Sequence, residues 1–136
     1  MKKLITLFSI ALIAVGAIFA QSAAQDDTTK KTDISTVVRK IEDEYTEFHP
    51  TATNVDLDLE YTPLTGEVII YYTCMGASFD QGEAMNTIDA ILEDFAKENQ
   101  FTKKPYFLRK DRTRWYKDER GLRMANYRRW VRFDLN

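Results

Sequence analysis

Only one cysteine and one histidine occur in 136 residues, and most site chemistries that need either residue are closed off at once. A lone cysteine, Cys74, cannot form an internal disulfide, so a small exported domain must rest on its apolar core. Cys74 lies inside the apolar run "VIIYYTCM", where a buried thiol acting as a small hydrophobe is expected. Cysteine and histidine spacing for zinc is missing. A Cys74–His49 pair for nucleophilic catalysis would need both side chains in one cleft. His49 instead precedes Pro50 at a predicted helix end, while Cys74 closes a predicted central strand. Ser78, in "CMGASFD", lacks the flanking glycines of a nucleophile elbow. No catalytic residue, metal or cofactor is therefore assigned.

The N-terminus carries a different message. Lys2 and Lys3 precede an uncharged apolar run from Leu4 to Ala20, and Ser22 and Ala24 provide a small-x-small cleavage site after Ala24, with Ala20 as an earlier choice. The run is at the short limit for a bilayer span, roughly 17–25 residues. No cysteine near the cleavage site offers a lipid anchor. These features predict a signal peptide over residues 1–24, a flexible polar leader over 25–32 and a single α+β domain over 33–136. The product is expected to be exported, either periplasmic or secreted.

A net charge of −2 conceals a division. Residues 26–98 hold 17 acids and 5 bases, a net −12, whereas residues 99–136 hold 4 acids and 12 bases, a net +8. Separation on this scale points to an electrostatic partner, within the chain or outside it.

Hydrophobic periodicity organises the domain. Ile34, Val37, Val38, Ile41, Tyr45 and Phe48 recur at helical spacing and predict a helix over 34–48, ended by His49 and Pro50. Val55, Leu57, Leu59 and Tyr61 alternate with Asp56, Asp58 and Glu60, the pattern of a strand with one dry face. "TPLTG" supplies a turn, and "EVIIYYTCM" reads as a central strand. A hairpin over about 54–61 and 67–75 follows. Asp80 and Glu83 form an N-terminal cap for a second helix over 82–98, whose apolar stripe is Ala84, Ile88, Ile91, Leu92 and Phe95. In the last third, "DERG" at 118–121 is a turn. Pairing about it sets Lys117 opposite Leu122, Trp115 opposite Met124, Asp111 opposite Arg128, Leu108 opposite Val131 and Tyr106 opposite Phe133. A shorter three-strand meander broken at Lys110 to Arg112 is the alternative. The order αββαββ predicts a two-layer sandwich, an antiparallel sheet of four to five strands with two helices on one face. Tyr71, Tyr72, Phe95, Tyr106 and Phe133 are expected in its core.

Two groups of charged residues remain. Asn54, Asp56, Asp58 and Glu60 repeat at every second position like the opening of a calcium loop, but Leu57 and Leu59 intervene where a glycine turn is required. A solvated strand face is the expectation. The segment "YRRWVRF" at 127–133 packs three arginines and three aromatic rings into seven residues. Such composition suits nucleic acid, which export and the acidic remainder of the domain disfavour. Internal compensation by Asp56, Asp58 and Glu60 on a neighbouring strand is one explanation. An external anionic partner, either an anionic surface or an acidic protein face, is the other, with membrane contact at most peripheral. In the register above, Lys110, Arg112, Arg114, Arg123 and Arg129 share one face, and Trp130 lies opposite Arg109 between Arg128 and Arg132, where cation–π stacking is possible. The expected binding residues are Arg112, Arg114, Arg123, Arg128, Arg129, Trp130 and Arg132. The function expected is a non-enzymatic binding or structural module of the cell envelope or exterior; the alternative is a small envelope hydrolase using carboxylates or Cys74.

Overall fold

The computed structural model describes residues 36–135. The predicted signal peptide, the predicted leader and the first two residues of the predicted 34–48 helix lie outside the described residues.

A hairpin forms where alternation and turn chemistry agree. Strands β2 (Asp56–Thr62) and β3 (Glu67–Met75) pair antiparallel, with Leu57 opposite Tyr72 and Leu59 opposite Ile70. Gly66 closes the turn at φ 75°, a conformation that costs other residues roughly 1–2 kcal/mol. Its site is also crowded, since a Cβ there would stand 2.3 Å from the Phe133 carbonyl oxygen. Helix α1 (Gln81–Glu98) starts at Asp80, whose side chain accepts from the Glu83 N–H at 2.9 Å. That bond satisfies one of the free donors of the first turn. Ala84, Ile88, Ile91, Leu92 and Phe95 are buried and pack on Leu57, Leu59, Val68, Ile70, Tyr72, Tyr127 and Val131 in a single cluster.

The predicted helix over 34–48 is not formed. Residues Val37–Ile41 are strand β1, paired antiparallel with β2, and Thr46–Phe48 make only a 3-10 turn. Val37, Val38 and Ile41 are β-branched, which disfavours helix and favours a pleated edge. "VVRKI" also satisfies a period of two, and the free edge of β2 decides between the two periods. Ile41 and Tyr45 still pack against the core, as the helical pattern anticipated, but Ile41 does so from a strand and Tyr45 from the start of the 3-10 turn. Among the described residues the architecture is thus a small α+β fold with one helix on a six-stranded antiparallel sheet, not the two-helix αββαββ arrangement.

The C-terminal arm is corrected by one residue. Strands β4 (Tyr106–Phe107) and β5 (Arg112–Lys117) both pair with the same edge of β6 (Arg123–Arg132), whose other edge pairs with β3. Lys117 lies opposite Arg123, Trp115 opposite Ala125 and Arg112 opposite Arg128. Beyond the break at 108–111, Phe107 lies opposite Val131 and Tyr106 opposite Arg132. The turn is longer than "DERG" because Asp118 organises it. Its Oδ1 accepts from the N–H groups of both Arg120 and Leu122 at 2.9 Å, and its own N–H donates to the Leu122 carbonyl. Leu122 therefore belongs to the turn, with Gly121 at φ 79°. Side chains alternate along a strand, so a slip of one residue moves every side chain of β5 to the other face relative to β6.

The sheet thus has two distinct faces. One is covered by α1. The other, left open by the described residues, carries Asp56, Asp58 and Glu60 from β2, Ile69, Tyr71 and Thr73 from β3, Asn126, Arg128 and Trp130 from β6, and Arg112 and Arg114 from β5. No helix among the described residues is long and apolar enough to cross a membrane.

Candidate anion-binding face

The register divides the basic residues of the arm into two sets. Arg112, Arg114, Arg128 and Arg132 project from the open face together with Trp130. Arg123 and Arg129 point toward α1, so the expected grouping of Lys110, Arg112, Arg114, Arg123 and Arg129 on one face is corrected.

Arg129 is 3% exposed and is held by carboxylates. Its Nε and Nη2 donate to Asp111 at 3.0 and 2.8 Å, and Nη1 donates to Asp89 on α1. The Tyr127 hydroxyl donates to the same Asp111 carboxylate. Burial, then the hydrogen bond to Asp111, pushes the Tyr127 pKa up to about 12. Burial works against the Arg129 charge, but Asp111 and Asp89 outweigh it and raise its pKa. Arg129 thus ties β6 to the 108–111 break and to the helix, and it is not available to an outside partner. Arg123 lies 4.2 Å over the Trp115 ring, which meets Phe79 edge-on.

On the open face, Arg112 is paired directly with Arg128, and Arg114 with Asn126. With Tyr71 these residues line a groove of about 400 Å³. Like charges directly opposite on a sheet destabilise it. Among the described residues no carboxylate comes within ion-pair distance of Arg112, Arg114 or Arg128. Internal compensation by β2 does not occur, because β3 separates Asp56, Asp58 and Glu60 from β6. Asp56 instead pairs with Lys40 at 3.1 Å. The carboxylates form a strand row, and among the described residues no cluster of three or more metal-ligating side chains could hold an ion.

Trp130 sits in the cation–π arrangement read from the sequence, with Arg109 at 5.4 Å and Arg128 at 5.9 Å from its ring. Its indole N–H is buried and meets no acceptor among the described residues. Arg132 stacks on Tyr106 at 4.9 Å and donates to its hydroxyl. Tyr71 and Tyr106 are not core residues. Tyr71 faces the groove and Tyr106 is exposed at the edge. Strict alternation in β3, with Val68, Ile70, Tyr72 and Cys74 inward, is the signal that would have placed Tyr71 outward. Apolar residues on both faces of "VIIYY" obscured it.

Cys74 and His49 are both withdrawn from solvent. Cys74 is fully buried, and burial pushes its thiol pKa up, which disfavours the nucleophilic thiolate. His49 is 1% exposed. Its Nε2 lies 2.8 Å from Asp43 and its Nδ1 3.0 Å from the Ala52 carbonyl. A carbonyl and a carboxylate only accept, so this setting favours the form in which both nitrogens donate, the imidazolium. Burial opposes the charge, but the bonds to Asp43 and to the Ala52 carbonyl outweigh it, raising the pKa above 6.5. His49 has no nitrogen free to activate a thiol.

Comparison with protein-family models, with characterised proteins and with solved structures returns no significant match.

Proposed function

We propose that this chain is an exported, non-enzymatic binding module whose open sheet face engages an anionic partner through Arg112, Arg114, Arg128, Arg132 and Trp130. One observation carries the reading: Arg112 stands directly opposite Arg128, with Arg114 beside them, and no described carboxylate neutralises the three. Planar guanidinium groups present paired donors matched to carboxylate, phosphate or sulfate. The Trp130 ring adds a flat apolar contact beside them.

The test uses the full chain, purified after expression, on a sulfated polysaccharide matrix and on vesicles of phosphatidylglycerol. Binding is expected at low salt and should weaken steeply as ionic strength rises, since exposed charges are screened beyond about 8 Å at physiological salt. Arg112, Arg114 and Arg128 changed together to serine should abolish binding without lowering the melting temperature, because no described ion pair is lost. Arg123→Ser, altered on the opposite face, should bind as the parent does. Retained binding by the triple variant, or no binding by the parent to either probe, would overturn the proposal.

A further inference from the structure

We propose that the partner taken by the arginine groove is the acidic strand of a second copy of this chain, in a two-fold dimer built on the open faces of two sheets. This inference rests on the anion-binding reading above and names the anion.

Charge placement favours a partner carrying both signs. Asp56, Asp58 and Glu60 occupy the same face as the arginines, about two strand spacings or ~10 Å away. A flat, uniformly anionic surface laid across the groove would meet these carboxylates as well, so it should bind at low salt but more weakly than a partner carrying both signs. A second copy avoids the conflict, because its charges are segregated in the same manner. Three cross-strand rows define the face. One runs Lys40–Asp58–Tyr71–Arg128–Arg112, the next Val38–Glu60–Ile69–Trp130, and the third Asp56–Thr73–Asn126–Arg114. Strand β3 lies midway between the acidic β2 and the basic β6.

Rotation of a copy by a half-turn about an axis along β3 brings β2 of one chain over β6 of the other. Strand direction and row level are preserved. Asp58 then stands over Arg128 of the second copy, and by symmetry Arg128 stands over the second copy's Asp58. Glu60 stands over Trp130 of the second copy, beside that copy's Arg128. Asp56 stands over Asn126, with Arg114 adjacent. At the axis, Ile69, Tyr71 and Thr73 meet their own counterparts. The least favourable contact is at the corners, where Lys40 approaches Arg112. Packed sheets cross at about 30°, which splays the corners, and Lys40 is already held by Asp56.

Five strand positions at ~4.8 Å and about seven residues at ~3.3 Å cover roughly 500–600 Å² on each copy. The total of roughly 1,100 Å² lies just under the common range of about 1,200–2,000 Å². Association should therefore be weak and reversible.

Analytical ultracentrifugation of the full chain over a wide concentration range is the test. The parent should show a monomer–dimer equilibrium that shifts toward monomer as salt rises. Asp58→Arg and Arg128→Asp should each weaken association at least tenfold. Equal mixing of the two variants should restore it, because both interchain pairs are then of opposite charge, and the double variant should also dimerise. If either reversal unfolds the chain, Asp58→Asn and Arg128→Gln should each weaken association without the restoration. A parent that stays monomeric yet binds phosphatidylglycerol vesicles through Arg112, Arg114 and Arg128 overturns the dimer and keeps the anion-binding reading. A monomer that binds neither probe overturns both. A dimer indifferent to Asp58 and Arg128 assigns assembly to another surface and overturns this inference.

Discussion

Arg128 and Arg129 are adjacent in the chain and should behave as opposites when changed to methionine. Arg129 is 3% exposed and shared between Asp111 and Asp89. Removing one partner of a buried ion pair leaves the other charge stranded, at a cost of about 3–5 kcal/mol. Asp89 is largely solvent-exposed, so its loss costs little. Asp111 is mostly buried and keeps only the Tyr127 hydroxyl as a side-chain donor. The cost for Arg129→Met should therefore fall at the lower end, about 3 kcal/mol. In a domain of about 100 residues each kcal/mol moves the melting temperature by roughly 4–8 °C, so a fall of roughly 12–24 °C is expected. Arg128→Met removes no described ion pair and should change it by less than about 2 °C, in line with ordinary surface substitutions. Thermal and urea denaturation followed by circular dichroism would measure both. Equal stability of the two variants would refute the assignment of Arg129 to the interior.

Gly66→Ala should destabilise by at least about 2 kcal/mol, because positive φ is costly for alanine and its Cβ would collide with the Phe133 carbonyl; urea denaturation checks this, and an unchanged midpoint would contradict it. The His49 pKa is raised in the folded state. Its stabilising contribution is complete below about pH 6.5 and is lost as pH rises through the folded pKa. The parent's advantage in melting temperature over His49→Gln should accordingly shrink on going from acidic to alkaline buffer, and an advantage that grows would reverse the protonation argument. Cys74 should react with a thiol reagent only slowly in the native protein and rapidly in denaturant; fast native labelling would show that the β3 thiol is accessible.

The elements legible from sequence were those in which several local signals agree. The β2–β3 hairpin has clean alternation on β2 and Gly66 at the turn, and α1 has both a capped start and an uninterrupted apolar stripe. β1 was misread because Val37, Val38 and Ile41 fit two periods at once, and only the vacant edge of β2 selects one of them. The C-terminal register was missed by a single residue because the Asp118 side chain draws Leu122 into the turn. That one residue decides which β5 arginines share a face with Arg128. Composition could show that the arm is basic and aromatic, and the Arg109–Trp130–Arg128 stack was recoverable from neighbouring positions. The split between Arg129 inside and Arg128 outside depends on the pairing of β6 with β3, and the turn decides which β5 residues join Arg128 in the groove.

The most direct test of the anion-binding face observes the arginine side chains themselves. In a nitrogen–proton correlation spectrum of the full chain, the Nε–Hε signals of Arg112, Arg114 and Arg128 should move progressively as a sulfated oligosaccharide is titrated at low salt. The indole N–H of Trp130 should move with them. The Arg129 Nε–Hε signal, locked on Asp111 behind the sheet, should stay in place and serve as an internal control. Shifts confined to these open-face groups, and reversed by added salt, are the predicted result. Shifts centred on other residues, or none at all, would contradict the assignment of this face as the binding site.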